Sequence, residues 1–335
     1  MAAPEASRAL LVTGGAGYIG SHVCKAAAAA GYLPVTFDNL TGGHRHAVRW
    51  GPLEKGDLRD GERVQAVLER WRPRAVIHLA GLIDTSASMA DPSSYYAHNV
   101  AATLTLLDAM KRTGVLSLIF SSSAAVYGEP AYTPIDEKHQ CLPLSPYGAS
   151  KMMAERILQD YARAYAFKSV SLRYFNAAGA DSDGEIGESH PVETHLIPLV
   201  LEAVAGRRPQ IAIHGDDYDT RDGTCVRDYI HVEDLATAHL LAVEFLAGRD
   251  GAHAFNLGSG QGATVREIVE IARRVANRTV PISMGPRRAG DPAVLLADST
   301  RARLQLGWNP VRSDLPSIVS SAWNWHKKSW HVSAA

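Results

Sequence analysis

The sequence predicts an α/β fold, a doubly wound parallel sheet carrying a smaller second lobe, and two observations predict it. Through the first half, short β-branched apolar runs alternate with longer amphipathic segments, the pattern of strands buried on both faces by crossover helices. After Phe175 that rhythm stops, and Gly, Asp and Ser gather in turn-forming stretches.

In chain order, "RALLVTG" reads as the first strand and Tyr18 to Ala30 as the first helix. The strand "LPVTFDN", the helix Gly61 to Trp71 and the strand "RAVIHLA" follow. Next come the helix Ser93 to Arg112, the strand "LSLIFSSS", a helix from Pro146 to Ala166 and the strand "SVSLRYF". Pro146 suits the first position of its helix, where a missing N–H costs nothing. Beyond Phe175, the stretches "GDDYDTRDGT", "LGSGQGAT" and "GPRRAGDP" read as turns of a smaller lobe, with a return to the main sheet near "RDYIHVEDLA". The expected division gives residues 1–176 to the sheet domain, with a return segment at about 229–256. Residues 177–228 and 257–335 then form a discontinuous C-terminal lobe that binds substrate. A chain of 335 residues is long for one compact domain, which fits this division.

Composition narrows the function. With 46% hydrophobic and 21% charged residues, the chain is a globular protein, not a disordered or fibrous one. A net charge of -1 without blocks of like charge excludes nucleic acid and anionic membrane as expected partners and leaves small molecules. The three cysteines, Cys24, Cys141 and Cys225, have no CxxC spacing, so neither a disulfide framework nor a zinc site is suggested, and no metal is expected. A reducing cytoplasm is the expected location. The start "MAAPEASRALLV" carries no targeting pattern, and the alanine run Ala26 to Ala30 is too short to span a bilayer.

The motif "LVTGGAGYIGSH" places Gly14, Gly17 and Gly20 between a strand and a helix. Glycines there allow a tight turn, close approach of backbone N–H groups to a pyrophosphate and close packing of helix on strand. The second strand ends in Asp38, at the separation expected of a carboxylate that binds the adenine ribose hydroxyls. The sheet is therefore expected to be Rossmann-type. An acid at Asp38 repels a ribose phosphate, so NAD is favoured over NADP. In "GDLRD", Asp57 is placed to accept from the adenine amino group with Leu58 over the ring, although taken alone Asp57 reads as a helix cap.

Tyr147 and Lys151, in "SPYGASK", lie four residues apart on one helix and share a face. An ammonium beside a phenol favours the phenolate and lowers a pKa ordinarily near 10, as a general base at neutral pH requires. Alone, such a pair is a surface contact; behind a dinucleotide motif it reads as catalytic. The hydroxyls of Ser121 to Ser123 close the strand "LSLIF" at its carboxyl end, where open parallel sheets bind ligands. Ser123 is placed to bond a substrate hydroxyl and pass its proton to Tyr147.

Together "TGGAGYIG", "FDNL", "GDLRD", "FSSSAAVYG", "SPYGASK", "LRYFNAAGA", "VRDYIHVEDLA" and "FNLGSG" resemble the extended short-chain dehydrogenase/reductase family, over about Ala9 to Trp325. The resemblance implies oxidation at C4 of a UDP-sugar with a retained NAD, Tyr147 as base assisted by Ser123, and Lys151 on the nicotinamide ribose. A 4-keto intermediate would turn in the pocket and take hydride back on its other face, giving the C4 epimer. It also implies cofactor contacts from Tyr18, Ile19, Asn39, Asn99, Ser121 and Tyr174. On the substrate side it implies Phe175 and Asn176 near the sugar or diphosphate, Arg227 and Arg288 on the diphosphate, and Asp291 on the uridine ribose. Arginine suits that task because its planar fork engages phosphate oxygens in pairs.

Relatives that eliminate water carry an acidic pair just after the serine or threonine, where this chain has Ala124 and Ala125, so epimerisation is expected. A dinucleotide-binding sensor without activity is the alternative from another class. Three departures bear on the sugar. The segment "AGLIDTSAS" has Ile83, Ser86 and Ala87 where relatives place a lysine, a glycine and an acid; His214 stands where an aromatic ring stacks uracil; and His195 stands where Asn is frequent. Leu295 occupies the position that sets pocket size, intermediate between a tyrosine and a small residue. UDP-glucose and UDP-galactose are the expected pair, with UDP-xylose and UDP-arabinose, or UDP-N-acetylhexosamines, as alternatives. The resemblance further implies a homodimer, built by pairing the helices Ser93 to Arg112 and Pro146 to Ala166 with their copies.

Overall fold

A computed structural model of the chain describes residues 8–190, 192–288 and 291–330. Residues 1–7, on which much of the targeting reading falls, lie outside the described residues.

The first half builds β1 (Ala9–Thr13), α1 (Tyr18–Ala29), β2 (Leu33–Asp38), β3 (Leu53–Lys55), α2 (Gly61–Trp71) and β4 (Ala75–His78). Then come α3 (Thr85–Ala90), α4 (Pro92–Tyr95), a π-helical turn at Tyr96–Ala101, α5 (Ala102–Thr113), β5 (Ser117–Ser121), α6 (Pro146–Tyr165) and β6 (Lys168–Tyr174). The second half adds β7 (Asn176–Ala178), α7 (Leu196–Val204), β8 (Ile211–His214), β9 (Val226–Arg227), β10 (Tyr229–His231), α8 (Val232–Ala247) and β11 (Gly251–Leu257). It closes with β12 (Ala263–Thr264), α9 (Val265–Ala276), β13 (Ile282–Gly285), β14 (Val294–Leu295), α10 (Thr300–Leu306) and α11 (Leu315–Ser329).

Seven strands form one parallel sheet in the order β11-β6-β5-β4-β1-β2-β3. Strand order reverses between β1 and β4, which opens a crevice at their carboxyl ends. Successive side chains of β1 point to opposite faces, and both faces are dry. Leu10 and Val12 pack with Val23, Leu235 and Val243 of α1 and α8, whereas Ala9 and Leu11 pack with Val67, Leu107 and Leu158 of α2, α5 and α6. Fully burying each such aliphatic side chain stabilises by about 1.5–3 kcal/mol, which holds the strand ends in place.

One expectation needs correction. The stretch "RDYIHVEDLA" does not itself rejoin the main sheet: β10 pairs with β7 in a separate two-stranded parallel sheet, and the returning strand is β11, beside β6. Helix α8, which follows β10, packs across the sheet face against α1. A third apolar cluster lies away from the sheet, where Ile197 and Leu201 of α7, Ile268 and Val269 of α9, and Ile318 and Trp323 of α11 meet. Trp308 instead joins the sheet core and donates through Nε1 to the Asp234 carbonyl at 2.9 Å.

Candidate active site

The glycine loop is shaped by contacts that only glycine permits. Gly14 has φ +71°, and a Cβ there would lie 2.7 Å from the backbone nitrogen of Ala80 at the end of β4. At Gly20 a Cβ would come within 2.1 Å of the Gly14 carbonyl oxygen, so α1 sits directly on the loop. Gly17 is the N-cap of α1, with no side-chain cap and no acid in the first turn. The amides of Tyr18 and Ile19 therefore open a helix end whose partial positive charge suits a diphosphate. The Tyr18 phenol turns away and donates to the Gly179 carbonyl at 2.6 Å, tying the loop to the segment after β7.

Asp38, buried at the end of β2, accepts from the amides of Ala16 (3.0 Å) and Leu40 (2.8 Å). A carboxylate offers about four acceptor sites, so two stay available for ribose hydroxyls. Asn39 donates to Asp57 at 3.2 Å, and Arg59 grips Asp57 with two bonds of 2.9 Å, holding its carboxyl well below the usual range. Asp57 does not cap α2; Asp60 does, accepting from the Arg63 amide at 3.0 Å. Leu58 is buried beside them. The residues present fit an NAD: an uncapped helix end behind a glycine cradle, then a carboxylate at the next strand end.

At the end of β5 the remaining candidates converge. Lys151, buried, donates to the Ser121 carbonyl at 2.9 Å, and its Nζ lies 5.8 Å from the centre of the Tyr147 ring. The Ser121 hydroxyl is hydrogen-bonded to the buried Tyr174 phenol, whose pKa burial raises. Ser123 hydrogen-bonds Tyr147 and accepts from the Ala125 amide at 3.1 Å. Asn99, presented by the π-helical turn, accepts from the Leu82 amide (2.8 Å) and donates to the Leu82 carbonyl and to Ser150 Oγ (both 3.0 Å). Its amide thus orders the turn that carries Ile83, which is exposed.

The expected depression of the Tyr147 pKa is not found. Burial pushes the phenol up, with the Ser123 hydrogen bond acting against it. Lys151 turns its ammonium to the Ser121 carbonyl, and burial brings its own pKa down to about 8.

Phe175 and Leu295 meet on Val126, Tyr127 and Ile135, with Ala124, the residue after Ser123, packed on the same cluster. Arg227 and Asp291 are ion-paired with each other. Arg288 is exposed, and its carbonyl accepts from the Asp291 amide at 3.3 Å. His214 faces Gly285 across the β8–β13 pair, and Asn176 spends its Nδ2 on the Asp228 carbonyl at 3.0 Å. His195, the N-cap residue of α7, turns Nδ1 toward Glu188 (2.7 Å) and Glu193 (3.3 Å). Burial opposes its charge, but the two carboxylates outweigh that and push it up to about 10. Sequence reading singled out His195 alone in this run. The dense spacing of Glu188, His190, Glu193 and His195 was the signal for the rest.

A glycine cradle behind a Ser-Tyr-Lys group at strand carboxyl ends defines a dinucleotide-dependent enzyme of the short-chain dehydrogenase type. Residues 10–258 match the NAD dependent epimerase/dehydratase family, and the chain belongs to that family. It is 51% identical over 319 residues to a UDP-glucose 4-epimerase of Rhizobium meliloti, covering 95% of this chain and 97% of the relative. Its structure resembles that of a UDP-glucose 4-epimerase from Brucella ovis in complex with NAD, with TM-score 0.93, 51% identity and coverage of 94% and 97% of the two chains. A UDP-glucose 4-epimerase from Stenotrophomonas maltophila with bound NAD and formylated UDP-arabinopyranose matches with TM-score 0.93 at 37% identity, over 97% of this chain and 99% of the other.

Proposed function

We infer that the chain interconverts UDP-glucose and UDP-galactose as an NAD-dependent 4-epimerase, an isomerase. The observation that carries the reading is the convergence of Ser123, Tyr147 and Lys151 at the end of β5, beside the glycine cradle and with no acid at Ala124 or Ala125. Bound NAD supplies a hydride acceptor for C4 and, on the return, the donor.

Tyr147 takes the proton of the C4 hydroxyl, directly or through Ser123, and gives it back when the keto group is reduced. Lys151, whose Nζ lies near the Tyr147 ring, would hold the nicotinamide ribose beside the base. Asp38 and the open end of α1 orient the dinucleotide. Arg227 and Arg288 bind the substrate diphosphate, while Asp291 is freed from Arg227 to take the uridine ribose. Asn176, His195 and His214 complete the substrate side, and the apolar corner of Phe175 and Leu295 sets the room for the sugar. Because Ala124 and Ala125 offer no proton-transfer group, elimination from the keto intermediate has no catalyst.

The division into a sheet domain and a substrate-binding lobe is part of this reading, supported by the separate apolar cluster of α7, α9 and α11. So is a homodimer. Exposed Tyr96, Met153 and Tyr165 lie on the helical stretch 92–113 and on α6, and they suit burial against a second copy. A cytoplasmic location accords with the three free cysteines. Among the described residues no helix is long and apolar enough to cross a membrane.

Incubation with UDP-galactose and no added NAD, followed by NMR, is expected to give UDP-glucose. Tyr147→Phe should lower kcat by about 10²–10⁴ while NAD stays bound. Turnover at the parental rate in that variant would remove Tyr147 from the chemistry, and faster turnover of UDP-xylose or UDP-N-acetylglucosamine would overturn the sugar assignment.

A further inference from the structure

The run from Glu188 to His195 gathers two imidazoles and two carboxylates whose ligand atoms all lie within 4.8 Å of one another. His190 Nδ1 stands 3.5 Å from Glu188 Oε1 and 3.3 Å from Glu193 Oε2, and His195 Nδ1 stands 2.7 Å from Glu188 Oε1 and 3.3 Å from Glu193 Oε1. Tetrahedral ligands about 2.0–2.1 Å from a zinc ion are separated by roughly 3.3 Å, so the two spacings of His190 Nδ1, to Glu188 Oε1 and Glu193 Oε2, match edges of such a site, and His195 stands closer to Glu188 than an ion between them would leave it.

Independently, the Glu188 side chain is only 4% exposed, and its Oε1 has no properly aligned hydrogen bond, although it points into the cluster. His195 Nδ1 is 2.7 Å from it but off the line of a hydrogen bond, and a buried carboxylate oxygen so poorly satisfied is costly. Glu193 spends Oε1 on the amides of Thr194 and His195, both at 2.8 Å, which fixes the carboxylate and leaves Oε2 facing His190. Among the described residues no Lys or Arg pairs with Glu188 or Glu193. The nearby acidic group of Asp181, Asp183 and Glu185 differs, because Lys25 lies within 2.9 Å of all three and Arg49 pairs with Glu185, so cations of the chain already occupy it.

We propose that Glu188, His190, Glu193 and His195 bind a divalent transition-metal ion, zinc by preference. Two imidazoles favour zinc and its neighbours over calcium and magnesium, which take oxygen ligands. The site is closed by protein ligands and contains no group of the Ser123–Tyr147–Lys151 constellation, so the ion's role is structural. Its loop is wedged between the two halves of the molecule: the Glu188 carbonyl accepts from Trp325 Nε1 of α11 at 3.1 Å, and the Ser189 carbonyl lies 3.0 Å from His44 Nε2. The ion staples this loop and, through His195, fixes the start of α7.

The test uses the full chain, needs no turnover and so stands apart from the sugar assignment. Protein dialysed against a chelator is titrated with ZnCl2 against a competing chromophore and melted with and without the metal. About one zinc per chain, a raised Tm on adding it back, and at least a roughly tenfold weaker affinity in His190→Ala and Glu188→Gln are expected. Retained NAD absorbance in the variants shows that they fold; should they not, re-metallation of the parent protein carries the test. No zinc bound at about 100 μM, equal affinity in the variants, or preference for calcium or magnesium over zinc would overturn the site.

Discussion

Beneath the floor of the site, Arg173 of β6 and Glu155 of α6 form a bidentate ion pair with both side chains buried. Glu155 also accepts from Ser122 at 2.5 Å, and Arg173 donates to the Tyr127 phenol at 2.9 Å, which in turn donates to Asn256 at 2.7 Å. This network lies between the serines of β5 and the helix that carries Tyr147. Glu155→Gln leaves a guanidinium buried without its counter-charge, so unfolding free energy from urea titration should fall by about 3–5 kcal/mol. A loss under about 1 kcal/mol would mean that water reaches the pair. Nothing in the sequence marks these two residues, because their pairing depends on the sheet packing against α6. Burial has the same consequence at Tyr147. Spacing put Lys151 on its face, but only the fold shows that the ammonium is drawn to a backbone carbonyl and that the phenol is driven up. Asp57 is a third case, since its grip by Arg59 is a side-chain choice within one loop.

Helix α6 begins with Ser145, whose Oγ accepts from the Gly148 amide at 3.2 Å, followed by Pro146 in the first turn. Tyr147 lies in that same turn, so the cap that starts the helix also fixes the base. Ser145→Ala should cost about 1 kcal/mol of stability and reduce kcat more than it changes KM, while Ser145→Asp restores both. A stability loss with unchanged kcat would separate the cap from the chemistry. This helix start was legible because Ser-Pro carries its own local signal. The strand at "YIH" was not: a run of three residues fits either the main sheet or a side pair, and the choice belongs to β7, a distant partner. Strand β11 has a full seven-residue ladder against β6, yet in sequence it blends into the turn-rich second half.

For the molecule as a whole, the sheet and its two covered faces followed from apolar periodicity, because each strand of the first half had to be dry on both sides. What periodicity does not report is the polar content of those dry layers. His22, His78 and His239 are each at most 2% exposed, and burial pushes them down to about 4, about 3 and about 4. His78 bridges the hydroxyls of Thr13 (2.8 Å) and Thr103 (3.0 Å) across the centre of the sheet. Each is neutral when folded but takes a proton near pH 6.5 when unfolded, so the unfolded state binds more protons as the pH falls. Stability is therefore lost from about pH 6.5 downward and goes on falling until about pH 4, where the folded imidazoles begin to titrate. Between pH 7 and pH 5.5 each histidine should remove a little over 1 kcal/mol, and the three together roughly 3–4 kcal/mol, a large part of the 5–15 kcal/mol that holds a typical domain folded. Urea unfolding of the parent chain and of His239→Gln at the two pH values isolates one imidazole, and the variant should lose roughly 1 kcal/mol less between them. The same pH dependence in His239→Gln as in the parent chain would mean that this imidazole is protonated inside the fold, contrary to its burial.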